Sequence, residues 1–434
     1  MRTPRPLLTL LSVALSAITV SQAVSPASAA TRGPALRGVQ LVDVDGSTSL
    51  REVDAQLDAA RRTGANMVRL YGQWGDLEPD RRGQMEPAYL RLIDHAMQAA
   101  SGRGLKVALT LGFTPCWASS APASVRGTCS TVAERAGAGR YPPTDPNDFA
   151  RFAGFAAGRW GSFLAGIEVY NEPDQSNELY FAGPDKVGRY AALLKAAYPV
   201  IKRANPRVPV LAGAFVGKDG RFLRALYAAG IKGSYDLLSV HFYDLVLDAL
   251  KHVRAVQRAN GDRTPLWLGE FGWTSCFPRQ VTQGGHVCVT RNVQAANLLD
   301  TMQALETVSY VRGAMIFAVR DTPEFNFGAF ERSGRAKPAV AALRRGFSSR
   351  PGGPRALRLR LTRRGSRVVA SGSGPAGGAY QIDVARRGTL RYQVALRLDR
   401  SNHFRVVLPA ALGTRDLRVK MFQQFLRRPV TRRI

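Results

Sequence analysis

Acidic side chains are scarce in this 434-residue chain: 32 Asp and Glu stand against 61 Lys and Arg, a net charge of +29. Such a surface adheres to acidic polymers, whether cell-wall polyanion, acidic polysaccharide or, by accident, nucleic acid. No nucleic-acid recognition motif accompanies the charge, so nucleic acid is not the expected partner. Histidine is sparser still. His95, His241, His252, His286 and His403 show no ligand spacing, so no metal site is expected. A phosphate-cradling Gly-rich loop in proper context is missing, and no cofactor is expected. The four cysteines lack CxxC spacing, which excludes the common zinc modules. Beyond the N-terminus no apolar run is long enough for a transmembrane helix.

The N-terminus reads as a secretory signal over residues 1–30. Arg2 and Arg5 precede the apolar stretch Leu7–Val20, and Ala27-Ser28-Ala29 supplies a small-residue cleavage site. Export, with a mature protein that is extracellular or envelope-associated, agrees with the cysteines, which an oxidising compartment would pair. Three connectivities are open; the local loops Cys116–Cys129 and Cys276–Cys288 are the simplest.

Strand-like and helix-like patterns alternate through residues 31–347. Expected strands are Gly38–Val42, Asn66–Tyr71, Lys106–Gly112, Leu164–Tyr170, Val208–Phe215, Leu237–Tyr243, Leu266–Phe271 and Gly313–Val319. Amphipathic stretches such as Leu50–Arg62 and Thr290–Glu306 separate them. Eight such alternations predict an α/β fold, a (β/α)8 TIM barrel, with an open doubly wound sheet as the alternative. Residues 348–354 read as a Pro/Gly/Ser linker. Residues 355–434 alternate at period two, as in Leu357-Arg358-Leu359-Arg360-Leu361, and predict a small all-β, sandwich-like domain. From Pro351 onward 19 Arg or Lys face three acids, so this domain carries +16 of the charge and is the expected attachment to an anionic envelope polymer.

Two glutamates stand out. One lies in Gly166-Ile167-Glu168-Val169-Tyr170-Asn171-Glu172-Pro173, the other in Pro265-Leu266-Trp267-Leu268-Gly269-Glu270-Phe271-Gly272-Trp273. A carboxylate closing a buried apolar strand is costly unless it is used. Either alone reads as a strand-end ion pair; together, with aromatics beside both, they read as paired catalytic carboxylates facing a sugar. In a barrel both point to the mouth at the C-terminal strand ends. Arg69, at the end of the second strand, and His241 and Tyr243, at the end of the sixth, converge there too.

These motifs resemble clan A glycoside hydrolases. Asn171-Glu172-Pro173 after the fourth strand and Gly269-Glu270-Phe271-Gly272-Trp273 on the seventh carry the likeness. Met67-Val68-Arg69-Leu70-Tyr71-Gly72-Gln73-Trp74 and Ser239-Val240-His241-Phe242-Tyr243 are similar to family 39-like and cellulase-like members. The resemblance spans roughly Leu36–Phe347 and stops before the basic tail. It implies a retaining glycosidase acting on a β-linked oligo- or polysaccharide, with Glu172 as general acid/base and Glu270 as nucleophile. Burial near Tyr170 and Glu270 is expected to raise the Glu172 pKa, and Arg69 to steady the Glu270 charge. Asn171 is expected to donate to the sugar 2-hydroxyl, and His241 and Tyr243 to orient the nucleophile. Trp74, Trp117, Trp273 and Phe325 fall in predicted loops where they can stack on sugars. A departure appears at the eighth strand: Phe317-Ala318-Val319-Arg320-Asp321 stands where many relatives place a tryptophan. The opposing function is a non-catalytic carbohydrate-binding or envelope-associated protein on the same scaffold.

Overall fold

Buried on both faces, the apolar runs can only be satisfied as parallel strands covered by helices. The structure, a computed structural model, describes residues 34–243, 246–306, 308–348, 358–373, 379–397, 403–423 and 430–434. By contacts the chain divides into Met1–Thr31 and Arg32–Ile434. The expected signal peptide, and the expected linker except Ser348, lie outside the described residues.

Eight strands form the barrel: β1 Leu36–Gln40, β2 Met67–Gln73, β3 Lys106–Gly112, β4 Leu164–Val169, β5 Val210–Phe215, β6 Leu237–His241, β7 Leu266–Phe271 and β8 Val311–Ile316. All pair in parallel in the closed order β1-β8-β7-β6-β5-β4-β3-β2. This is a (β/α)8 TIM barrel, and the open sheet is excluded. A helix follows each strand: Leu50–Arg62, Pro87–Gly102, Pro146–Trp160, Lys186–Ala204, Arg221–Ala228, Val246–Ala259, Arg291–Leu305 and Pro338–Ser348. Local chemistry fixes their starts. The Asp145 carboxylate accepts from the Asn147 N–H, with Pro146 at the first helical position, and Thr290 Oγ1 accepts from Val293 N–H.

Inside the barrel an apolar layer of Met67, Ala108, Leu211, Trp267 and Met315 closes the floor. Two residues further along three of these strands stand polar side chains instead: Arg69 follows Met67, Thr110 follows Ala108, and Ser239 follows Leu237. Arg69 is thus mid-strand and not terminal as expected, because β2 continues beside β3 as far as Gln73. The eighth strand ends at Ile316, three residues before the expected Val319.

From Arg358 onward the described residues of the alternating segment form seven strands: β9 Arg358–Arg364, β10 Arg367–Ser373, β11 Ala379–Arg386, β12 Thr389–Arg397, β13 His403–Val407, β14 Leu417–Gln423 and β15 Val430–Arg433. They make two antiparallel sheets, β9-β10-β13 and β12-β11-β14-β15. Leu359, Val368 and Phe404 from the first join Ile382, Val384, Val419 and Met421 from the second in one apolar core. The period-two pattern is the cause: Arg358 and Arg360 face solvent while Leu359 between them is buried.

Candidate active site

Arg69 is the centre of the polar tier, fully buried at the heart of the barrel. Its Nε donates to Glu168 Oε2 at 2.8 Å, Nη2 to Asn171 Oδ1 at 2.8 Å, and Nη1 to Gln40 Oε1 at 2.9 Å and Glu270 Oε1 at 2.6 Å. One guanidinium therefore ties β1, β2, β4 and β7 together. Glu168 also accepts from the hydroxyls of Thr110 and Ser239. Burial opposes its charge, but Arg69 and these donors outweigh it and hold the carboxyl below its ordinary range.

Glu172 is placed by a tight turn after β4. Tyr170 and Glu172 both take left-handed backbone conformations, φ 61° and 42°, which cost about 1–3 kcal/mol each in non-glycine residues. Surrounding bonds hold the turn: the Tyr170 hydroxyl meets Thr114 Oγ1 at 2.6 Å, and Tyr190 donates to Val169 O at 3.0 Å. Asp174 receives the N–H groups of Val216 and Gly217 at 3.0 and 2.8 Å. Burial pushes the Glu172 pKa up to about 7, against the pull of Arg69 and with help from the Glu168 charge. The contributing carboxylate is therefore Glu168 and not the expected Glu270.

Glu270 ends β7 with both oxygens occupied by donors, Arg69 Nη1 on Oε1 and the Tyr243 hydroxyl on Oε2 at 2.6 Å. His241 sits between the two acids, with Nδ1 2.8 Å from Glu172 Oε1 and 3.6 Å from Glu270 Oε2. Burial lowers its pKa, against the pull of the Glu270 charge, and so favours the neutral ring. Oxygens of Glu172 and Glu270 lie within 4.8 Å of one another. With His241 they form a trio spaced for a cation, yet the Arg69 guanidinium already supplies the positive charge at Glu270.

Gly269 makes room for this ring. A Cβ there would stand 2.7 Å from Ser239 Oγ and 2.9 Å from His241 Nε2. Gly269→Ala should displace the imidazole, lowering kcat roughly 10–100-fold, since misplacement of about 1 Å at a reacting centre costs that much, while destabilising the fold by about 1–3 kcal/mol. Steady-state kinetics beside denaturant melts would check both; an unchanged kcat would remove His241 from the site.

A sequence model of the cellulase family, glycosyl hydrolase family 5, matches residues 28–311, well over half of the chain. The chain belongs to this family. It is a glycoside hydrolase. Its fold is similar to a family 39 glycoside hydrolase from Bacteroides cellulosilyticus WH2 (18% identity, 88% of this chain and 80% of that one, TM-score 0.56). It is also similar to a GH39 β-xylosidase from Caulobacter crescentus (16%, 87% and 94%, TM-score 0.57). A third is a GH5_18 enzyme from Streptomyces cattleya in complex with GlcNAc (20%, 75% and 83%, TM-score 0.53). At these identities the likeness is one of fold. No curated protein matches the sequence.

Around the glycosidase site the expected aromatic subsites need correction. Trp74 is fully buried: it opens the short helix Trp74–Leu77, stacks on Phe152, and donates to Glu78 Oε2 at 2.7 Å. Trp273 is 5% exposed and packs edge-on against Phe271. Both indoles are buried, Trp74 among Phe149, Phe152 and Trp117 and Trp273 against Phe271. Trp117 packs on Trp74 and donates to Glu78 O at 2.9 Å. Arg320 pairs with Glu52, and Asp321 with buried Lys337 at 2.6 Å.

Trp117 and Phe325 are partly exposed, and further accessible aromatics join them. Partly exposed Tyr71, Phe113 and Tyr180 follow one another at 6.3 and 5.9 Å between ring centres, and the last two border a cleft of about 900 Å³. Tyr180 lies close enough to Glu172 and Glu270 for their charges to add to the burial that raises its pKa. Both cysteine pairs are joined as the local loops, Cys116–Cys129 and Cys276–Cys288. The first braces the cleft wall, where Cys116 lies beside Val132 and Arg135. The second closes a loop whose hairpin, Thr282–Gln283 with His286–Val287, sets His286 4.8 Å from the Tyr243 ring. Sequence reasoning missed Glu168, Gln40, Tyr180 and His286. Only Glu168 carried a signal, as a lone carboxylate inside an apolar run.

Proposed function

We propose that this glycosidase is an exported retaining hydrolase of a β-linked oligo- or polysaccharide, with Glu270 as nucleophile and Glu172 as general acid/base. The separation of the two carboxylates carries the reading. One oxygen of each lies within 4.8 Å of the other, nearer the roughly 5–5.5 Å of retaining enzymes than the about 6.5–9.5 Å at which inverting enzymes hold a water between the groups. The β-xylosidase among the fold neighbours lends support to a β-linked substrate. The paired cysteines and the N-terminal signal pattern support export.

In the first step a Glu270 oxygen bonds to the anomeric carbon as the glycosidic C–O bond breaks, and Glu172 gives its proton to the departing oxygen. Asn171, held by Arg69, is positioned for the sugar 2-hydroxyl. Once Glu270 is esterified its charge no longer offsets Arg69. The cation then acts more strongly on Glu172, lowering its pKa and suiting it to take a proton from water. That water attacks the anomeric carbon and releases Glu270. Proton NMR during the first turnovers tests the assignment. The β anomer should appear first and mutarotate to the α; an α anomer appearing first would sink the retaining scheme.

Because the acid must enter protonated, activity is lost as pH rises through its pKa. Against an unactivated glycoside kcat/KM should fall tenfold per unit above about pH 7. The same shift has a stability sign. A carboxyl raised from 4.5 to about 7 on folding contributes stability that is full below 4.5 and lost as pH rises through 7. Glu172→Gln should therefore match wild type near pH 4.5 and exceed it by about 3 kcal/mol above pH 7. Urea titrations at the two pH values would show it, and equal gains at both would remove burial as the cause.

A further inference from the structure

The β-module holds a pocket of about 540 Å³ that the barrel chemistry does not use. It lies where the hairpin turn between β11 and β12 meets the turn at Pro409–Gly413. Arg386, Arg387 and Arg391 line it beside Tyr392, with Pro409 and Leu412 as apolar floor, and no carboxylate is among its described lining residues. Asp416 Oδ2 stands 3.8 Å from Arg387 Nε at the edge of this cluster. The Arg386 guanidinium packs over Gly413, and its Nε is buried with no hydrogen-bond partner. An unpaired guanidinium N–H beside a cavity is a donor that the oxygen of a ligand can satisfy.

The strand geometry at this point is also unusual. Val384 pairs with Tyr392 but Ala385 pairs with Leu390, so Arg391 is an extra residue in β12. Successive strand residues ordinarily face opposite sides, whereas a bulge re-aims one of them. Here both Arg391 and Tyr392 line the same pocket. Diffuse attraction to a polyanion needs neither a bulge nor a cavity.

We infer that this pocket binds a carboxylate-bearing sugar of an acidic polysaccharide. The guanidiniums take the carboxylate in paired N–H···O bonds, and Tyr392 with Leu412 covers the apolar face of the ring. The inference deepens the anionic-polymer role expected of this module and is independent of Glu172 and Glu270. Held there, the barrel works on a glycan at raised effective concentration.

The test uses the full-length protein at about 0.15 M salt, where surface charge is screened beyond about 8 Å. Binding to polygalacturonate, polyphosphate and a neutral xylan is compared by calorimetry. Tight binding to polygalacturonate alone is expected. Arg386→Ala/Arg391→Ala should weaken it at least tenfold, whereas Arg432→Ala/Arg433→Ala, removing equal charge from β15 outside the pocket lining, should change it less than threefold. Should the alanine pair fail to fold, Arg386→Lys/Arg391→Lys keeps the charge, loses the fork, and should still weaken binding severalfold. Equal losses from both alanine pairs, or unchanged binding in the lysine pair, would overturn the pocket. Polyphosphate bound as tightly, with the same variant response, would overturn the sugar. Hydrolysis of a soluble neutral substrate should be unaffected by all of these, so failure here is distinct from failure of the glycosidase assignment.

Discussion

Glu270→Gln is expected to lower kcat by about 10⁴–10⁵-fold, the scale of losing a covalent nucleophile, and to leave the fold intact. The amide keeps the size of the side chain, offers its oxygen to Arg69 and its NH2 to the Tyr243 hydroxyl, which can accept. No buried partner is orphaned, so melting should stay within about 1 kcal/mol of wild type. Reducing-end release from neutral and acidic β-glycans, with equilibrium binding of the same glycans, separates chemistry from recognition. Retained affinity with lost turnover is the expected pair of results. A variant within tenfold of wild type would show that another group attacks the sugar.

Arg69→Met produces the largest loss of stability. It strips the cation from two buried carboxylates, Glu168 and Glu270, and from the amides of Gln40 and Asn171. Removing one partner of a buried ion pair costs about 3–5 kcal/mol, because the remaining charge is left in a poor solvent. Adding Glu168→Gln removes that charge, and the double variant should regain at least half of the lost stability. Activity should not return: Glu270 still lacks its donor, and kcat stays roughly 10²–10³-fold down. Guanidinium melts of the four proteins in this cycle, with turnover of each, decide the matter. A single variant as stable as wild type would mean that the Arg69 cluster does not hold the barrel together.

The barrel was legible because parallel strands covered on both faces spell continuous apolar runs, and Lys106–Gly112 and Leu266–Phe271 match their expected limits. Glu172 and Glu270 were legible because a carboxylate at the end of such a run has no cheap structural excuse. Glu168 sits inside its run, and its partners Arg69, Thr110 and Ser239 come from three other strands. Only closure of the barrel unites them, and periodicity does not encode closure. Trp74 misled for a local reason. Position after a strand suggested a loop facing substrate, but a four-residue helix turns its indole toward Phe149 and Phe152. Tyr180 and His286 lie in long segments whose shape depends on contacts distant in sequence.

The arginines that alternate along β9 bear on how the molecule behaves in a crowd. Among the described residues β9 and β13 are the border strands of their sheet, the positions at which a strand from another copy would pair. Arg358 and Arg360 on that border place like charges face to face in any such pairing, and the approach is repelled. The shield is only as strong as its electrostatics. Concentrated salt, or a polyanion that neutralises the module, would lower the barrier and let copies stack edge to edge, so this protein should keep its colloidal stability best in dilute buffer.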